Sequence, residues 1–179
     1  PIILFCGSLI KEKGVYEALE SIKNLQRDGI NFYFLIMGNG VEMANMKKVV
    51  LDKKIKNTFF LGFKKGPARI PYFRKSHILL LPSYSEGFPI VCLEAMASGM
   101  AIVSTKVGGL KDIMINEING FFIEKVPPSI EEIRNSLSEI IGDEKLFNQI
   151  SKNNVNIIRE TYDVLPVVRN LEKIYKDVQ

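Results

Sequence analysis

The strongest constraint on the fold is a rhythm. Short runs that are apolar at every position alternate with longer segments of helical spacing. Ile2-Ile-Leu-Phe-Cys6 is the first run and stops at Gly7. Phe32 to Met37 is the second, closed by Gly38-Asn-Gly40, and Thr58-Phe-Phe-Leu61 the third, ending at Gly62. A fourth begins at Ile78, a fifth covers Ala101 to Ser104, and a sixth Gly120 to Ile123. Between them, Val15 to Arg27 places Val15, Ala18, Leu19, Ile22 and Leu25 on one helical face. Val41 to Lys53, Ile70 to Lys75 and Gly109 to Ile115 read as further helices. From Ser129 onward the pattern is helical, with breaks expected at Pro127-Pro128 and Pro166. Strands without a polar face must be covered on both sides, which calls for a parallel sheet with crossover helices. The expected fold is therefore α/β: a single doubly wound, Rossmann-like domain over 1–179. It should have about six parallel strands, helices on both faces and extra C-terminal helices.

A chain of 179 residues with 46% apolar content is large enough for one sizeable core. No apolar stretch approaches the length of a membrane span, and the opening residues read as a strand rather than a leader peptide. The formal charge of +4 suits phosphorylated ligands or an anionic membrane surface. The Lys and Arg residues form no aromatic-interleaved stripe, so nucleic acid is not an expected partner. The two cysteines, Cys6 and Cys92, sit in apolar runs without metal-ligand spacing and read as buried, reduced thiols of a cytoplasmic protein. No metal motif is present. His77, the one histidine, opens an apolar strand and reads as structural.

Ligands of such sheets bind beyond the carboxyl ends of the strands, and the chemistry-bearing residues gather in those loops. Gly7, Ser8, Lys11, Lys13 and Gly14 follow the first strand, and Gly38 to Gly40 the second. Gly62 to Lys65 follow the third, Ser83 to Pro89 the fourth, and Thr105 to Gly109 the fifth. Gly38-Asn-Gly-Val-Glu-Met lacks the third glycine of a dinucleotide fingerprint, and no Walker lysine motif occurs. Glu86 lies in a turn-prone loop, and Glu94 follows eight positions later in an apolar helical run. Eight helical positions span about 12 Å, enough for one acid to hold a sugar and the other a ribose, with a diphosphate between. A helix N-terminus and free loop amides would face that diphosphate. A solvated loop acid and an exposed helix acid would produce the same two letters.

At this point the residues resemble a known family. Glu86 through Gly99 look like the Glu-x7-Glu segment of retaining glycosyltransferases of family four, which have the GT-B fold. Phe5-Cys-Gly-Ser-Leu-Ile-Lys-Glu-Lys-Gly14 resembles that family's first strand and phosphate loop. Phe34-Leu-Ile-Met-Gly-Asn-Gly40, Phe60-Leu-Gly62, Val107-Gly-Gly109 and Asn119-Gly120 match further landmarks in the same order. The likeness is greatest toward bacterial enzymes that build capsular, lipopolysaccharide or exopolysaccharide glycans.

The resemblance implies a role for each matched position. Lys13 would bind the diphosphate of a UDP- or GDP-linked sugar, and Gly7 would let the backbone approach it. Glu86 would lie by the transferred sugar, making Glu86 and Lys13 the catalytic candidates. The amides of Gly87, Phe88, Ile90 and Val91 would meet sugar hydroxyls and phosphate; Pro89 has none to offer. Glu94 would accept hydrogen bonds from the ribose, and Phe63 would flank the base. No cofactor is implied beyond the nucleotide-sugar itself. Ser8 departs from the pattern, standing where the family usually carries arginine, with Lys11 as a candidate replacement. GT-B enzymes have two such domains, and this chain resembles only the second, nucleotide-sugar-binding half. The first supplies the acceptor site, so the isolated chain is expected to bind nucleotide weakly and transfer nothing measurable. The expected location is the cytoplasm or the inner face of the membrane, with any peripheral membrane contact made through the other half. The terminal helix, Val167 to Val178, would pack back across that half. Two other readings stay open: a nucleotide-sugar epimerase-like enzyme, and a non-catalytic binding or interaction module on the same fold.

Overall fold

The computed structural model describes residues 1–168. Six strands form one sheet: β1 (Ile2–Cys6), β2 (Tyr33–Met37), β3 (Thr58–Gly62), β4 (Ile78–Leu81), β5 (Ala101–Thr105) and β6 (Gly120–Ile123). Their spatial order is β3-β2-β1-β4-β5-β6, and every neighbouring pair is parallel. The principal helices that connect or flank them are α1 (Val15–Arg27), α2 (Met43–Asp52), α3 (Ile70–Lys75), α4 (Ile90–Ala97), α5 (Leu110–Ile113), α6 (Ile130–Gly142) and α7 (Glu144–Ile157).

The uniformly apolar runs divide between two cores because successive strand residues point to opposite faces. Ile3, Phe5, Phe34, Ile36, Ile78, Leu80, Ala101 and Val103 pack on one face against α1, α2, α6 and α7. Leu4, Cys6, Met37, Leu79, Leu81 and Ile102 pack on the other against α3, α4 and α5. This is the two-sided burial that the strand composition requires. Phe121 joins the first core, while Phe122 is only partly buried on the second. Both cysteines are buried and unpaired.

Helix starts differ in a way that bears on the ligand rim. Ser129 accepts a hydrogen bond from the Glu132 amide and caps α6, and Asp143 accepts one from the Leu146 amide and caps α7. The Glu132 carboxylate reaches across to the Glu124 amide at 2.9 Å, pinning the exit of β6. Neither α1 nor α4 has a capping side chain; in α4 the Ile90 and Cys92 amides donate instead to the Phe88 and Pro89 carbonyls.

Three boundaries differ from the sequence reading. The second helix starts at Met43 rather than Val41, because Val41 and Glu42 form a turn that leaves Val41 in solvent. The helix expected over Gly109 to Ile115 is reduced to the four residues of α5. The break expected at Pro166 falls at Asp163, whose carboxylate accepts from the Val164 amide and starts a new helical segment, 164–168. Pro166 sits in that segment's first turn, where a missing amide is tolerated. The terminal helix expected over Val167 to Val178 lies mostly outside the described residues, which end at 168.

Two polar groups confirm that the sheet ends are tied by side chains. His77 is structural: its Nδ1 accepts from the Ile2 amide at 3.2 Å, and its ring packs 5.5 Å from that of Phe147. Burial lowers its pKa below the ordinary imidazole value. Asn154, fully buried on α7, donates to the carbonyls of Met100 (2.7 Å) and Asn119 (2.9 Å) and accepts from the Asn119 amide group at 2.8 Å. Replacement Asn154→Ala strands several of these groups away from water. It should cost roughly 2–4 kcal/mol, measured as a lowered urea midpoint with an unchanged slope.

Candidate functional site

The sheet order reverses between β1 and β4. The crossovers from these adjacent strands leave in opposite directions, and a crevice opens above their carboxyl ends. Two loops line it, residues 7–14 after β1 and 82–89 after β4. Their backbones touch. Gly14 has φ +65°, and a Cβ on it would lie 1.8 Å from the Pro82 carbonyl oxygen, so only glycine permits this approach. The Tyr84 amide donates to the Glu12 carbonyl at 2.8 Å. The Tyr84 hydroxyl donates to Glu17 on α1 at 2.5 Å. That bond, with burial behind it, pushes the tyrosine pKa up to about 12.

Within this frame the structure brings Lys13 and Glu86 together. Lys13 Nζ lies 2.8 Å from Glu86 Oε1, and the buried Ser83 hydroxyl donates to the same oxygen at 2.6 Å. Glu86 is therefore not a solvated loop acid: its side chain is only 12% exposed, pairs with the Lys13 ammonium and accepts a charge-assisted hydrogen bond from Ser83. Ser83 is in turn held by Thr105 of β5, whose hydroxyl donates to the Ser83 carbonyl. From the next loop, Gly108 (φ +54°) packs directly on the Glu86 carbonyl, and the Gly109 amide donates to the Gly87 carbonyl at 2.8 Å. The carboxylate is thus fixed by residues from three loops.

The remaining candidates are distributed along the same rim. Gly7 is half-buried, its amide bonded to the Met37 carbonyl at 3.0 Å, and Ser8 is exposed. Gly87, Phe88 and Ile90 are exposed, and Val91 is half-buried at the start of α4. Phe63 stands in solvent beyond β3, at 70% exposure. Lys11 lies exposed on a short 3₁₀ turn, Lys11–Lys13, where its charge helps hold the Glu42 carboxyl below its ordinary pKa after the hydrogen bonds from Tyr16 and Asn45. Only half of the interval between Glu86 and Glu94 is helical, since α4 begins at Ile90 after Pro89. The 12 Å helical span expected between the acids therefore does not apply.

Glu94 has a partner that the sequence did not announce. Arg69, in the turn before α3, places Nη2 2.7 Å from Glu94 Oε2. Its guanidinium also stands 5.0 Å from the Phe73 ring centroid and 3.5 Å from Cys6 Sγ. Arg69 Nε is buried without a hydrogen-bond partner. Burial raises the Cys6 pKa, and the Arg69 charge partly offsets the rise. Burial raises that of Cys92 far more, with the charge of Glu86 adding to it, so neither thiol is an activated nucleophile. Arg69 lies four residues past the rim loop that the sequence marked as Gly62 to Lys65, and nothing local in Gly66-Pro-Ala-Arg69 signals a partner on α4.

Two other concavities are lined by residues outside the crevice loops. One of about 540 Å³ is lined by Asn24, Arg27, Asp28, Ile130, Glu131 and Arg134, and one of about 330 Å³ lies around His77, Ile140 and Phe147. Neither touches the crevice.

A lysine–glutamate pair held by the switch-point loops of a doubly wound sheet stands where open α/β sheets commonly bind their ligands. The chain belongs to the family described as glycosyl transferases group 1, whose pattern matches residues 1–156. Among relatives, it is 24% identical over 174 residues to the capsular polysaccharide biosynthesis glycosyltransferase CapM of Staphylococcus aureus, covering 97% of this chain and 45% of CapM. The C-terminal domain of the group 1 glycosyl transferase LpcC from Francisella tularensis superposes with a TM-score of 0.82 at 26% identity, covering 91% of this chain and 86% of that one. Anabaena Alr3699/HepE, solved in complex with UDP and glucose, shares the fold at 20% identity and a TM-score of 0.81, covering 98% of this chain and 48% of HepE. The chain spans about half the length of the curated relatives it matches. It is thus the GT-B half that the sequence resembles, a single α/β domain with six parallel strands.

The Gly108 contact makes a contrast testable. Gly108→Ala drives a methyl into the Glu86 carbonyl at a positive φ and should cost on the order of 1–3 kcal/mol. Gly87→Ala, whose new carbon meets nothing within 4 Å, should stay within about 0.5 kcal/mol of the parent. Denaturant unfolding of both variants checks the difference.

Proposed function

We infer that this chain is the nucleotide-sugar-binding half of a retaining glycosyltransferase acting in surface polysaccharide or lipopolysaccharide synthesis. The observation that carries this reading is the Lys13–Glu86 pair, fixed at the switch point beside the uncapped starts of α1 and α4. A diphosphate in the crevice would receive Lys13 Nζ and the first-turn amides, which together neutralise the charge that grows as the sugar–phosphate bond breaks. No metal is needed for that role. Glu86, oriented by Ser83, would face the transferred sugar. The amides of Gly87, Phe88, Ile90 and Val91 would line the path between sugar and phosphate. Glu94 would take the ribose hydroxyls and Phe63 the base, with Gly7 and Ser8 at the phosphates. Sugar would pass to an acceptor hydroxyl with retention at the anomeric carbon.

The acceptor site belongs to the other domain of such enzymes, so residues 1–179 by themselves should bind nucleotide without turnover. The complex of Anabaena HepE with UDP puts UDP ahead of GDP as the first ligand to try. CapM and a Salmonella lipopolysaccharide 1,2-N-acetylglucosaminetransferase among the relatives favour a role in glycan assembly. No helix among the described residues is long and apolar enough to cross one.

Calorimetric titration with UDP and GDP tests the reading. One of them should bind saturably, and Lys13→Ala and Glu94→Ala should each weaken it about tenfold or more, the usual cost of losing a charge-assisted contact. No binding of either nucleotide by folded protein would overturn the reading and favour a non-catalytic module, in line with the exposed Ser8.

A further inference from the structure

We propose that Arg69 is a positioning residue for Glu94, holding its carboxylate aimed so that it grips the ribose diol of a nucleoside diphosphate. The proposal rests on the reading of the site given above and assigns a function to a residue outside the family's motif.

Three contacts define the guanidinium. Nη2 meets Glu94 Oε2 at 2.7 Å and Cys6 Sγ at 3.5 Å, and Cζ lies 5.0 Å from the Phe73 ring centroid. The ring comes from α3 and the thiol from the end of β1. The cation is therefore positioned by the end of β1 and by α3 rather than by a flexible surface stem. An exposed pair is often worth little, since two free side chains must be ordered to form it. Here the cation already stands over an aromatic ring, and its side chain is the more buried of the two, at 26% against 39%. The acid therefore acquires a fixed direction from its partner.

The geometry leaves room for a ligand. Among the described residues Arg69 engages only Oε2 of Glu94. A carboxylate offers about four lone-pair sites, so adjacent hydroxyls can donate to Oε1 and to the second lone pair of Oε2 while the arginine stays in place. A lysine could supply the charge but not the planar fork.

The test uses the 179-residue chain, UDP and GDP, and their 2′-deoxy counterparts. Wild type should bind one ribonucleotide more tightly than its deoxy analogue, and Glu94→Ala should abolish that preference. Arg69→Ala should lower affinity for the ribonucleotide about tenfold while leaving the deoxynucleotide within twofold. Combined with Glu94→Ala it should add nothing further. Arg69→Lys should restore only part of the preference.

Equal weakening of both ligands by Arg69→Ala would mean a phosphate contact or a folding defect, and would overturn the proposal. An unchanged preference would overturn it too. Both results leave the site reading standing so long as Glu94→Ala removes the preference. Failure of wild type to bind any nucleotide, or persistence of the preference in Glu94→Ala, would sink the site reading and this proposal with it.

Discussion

The close approach of two backbones at the switch point is the constraint on which the rest depends. β1 and β4 are neighbours in the sheet, yet their crossovers run in opposite directions. Their loops can share a crevice only if α1 starts hard against the end of β4. Gly14 on Pro82 makes that possible. Once those loops are in contact, Lys13 and Glu86 are within reach of each other despite the long stretch of chain between them. The tyrosine on Glu17, the threonine on Ser83 and the glycine on Glu86 then act as braces. Each comes from a different element, so the loop that carries Glu86 is fixed by tertiary contacts and not by its own turn propensity.

The rim's two ion pairs have different characters. Lys13 and Glu86 are mostly withdrawn from water and supported by a buried hydroxyl. Breaking that pair from one side would leave a charge without compensation, which is the expensive case. Arg69 and Glu94 are more open and rely on an aromatic ring for their geometry. The buried, unpartnered Nε of Arg69 is a local cost, acceptable where the guanidinium's orientation matters more than its solvation.

Much of this was legible in the sequence, for identifiable reasons. Strands such as Ile2–Cys6 and Ile78–Leu81 carry no polar face, and only a two-sided parallel sheet buries them. The loops at the strand ends followed from the same pattern, which put Lys13, Glu86 and Glu94 on one rim before any coordinates. What could not be read were pairings between distant segments. Arg69 and Glu94 lie on separate helical turns, and their contact depends on how α3 and α4 sit on the same sheet face. Gly108 looked like a turn glycine, whereas its role is to admit the Glu86 carbonyl. The early start expected for the second helix failed for a local reason: Val41 is apolar but has no core to face.

The pairing of Lys13 with Glu86 and Arg69 with Glu94 has a consequence for how an anion reaches the crevice. Each acid on the rim already has its own cation, so from a distance these four groups cancel. A phosphorylated molecule is drawn in only at short range, where it can displace or share a carboxylate's partner. Long-range capture of polyanions, which depends on a surplus of positive field, gains nothing from them, although the chain as a whole carries +4. Discrimination at such a surface comes from shape and from the exchange of hydrogen-bond partners, and changes in ionic strength should affect it far less than they affect a basic groove.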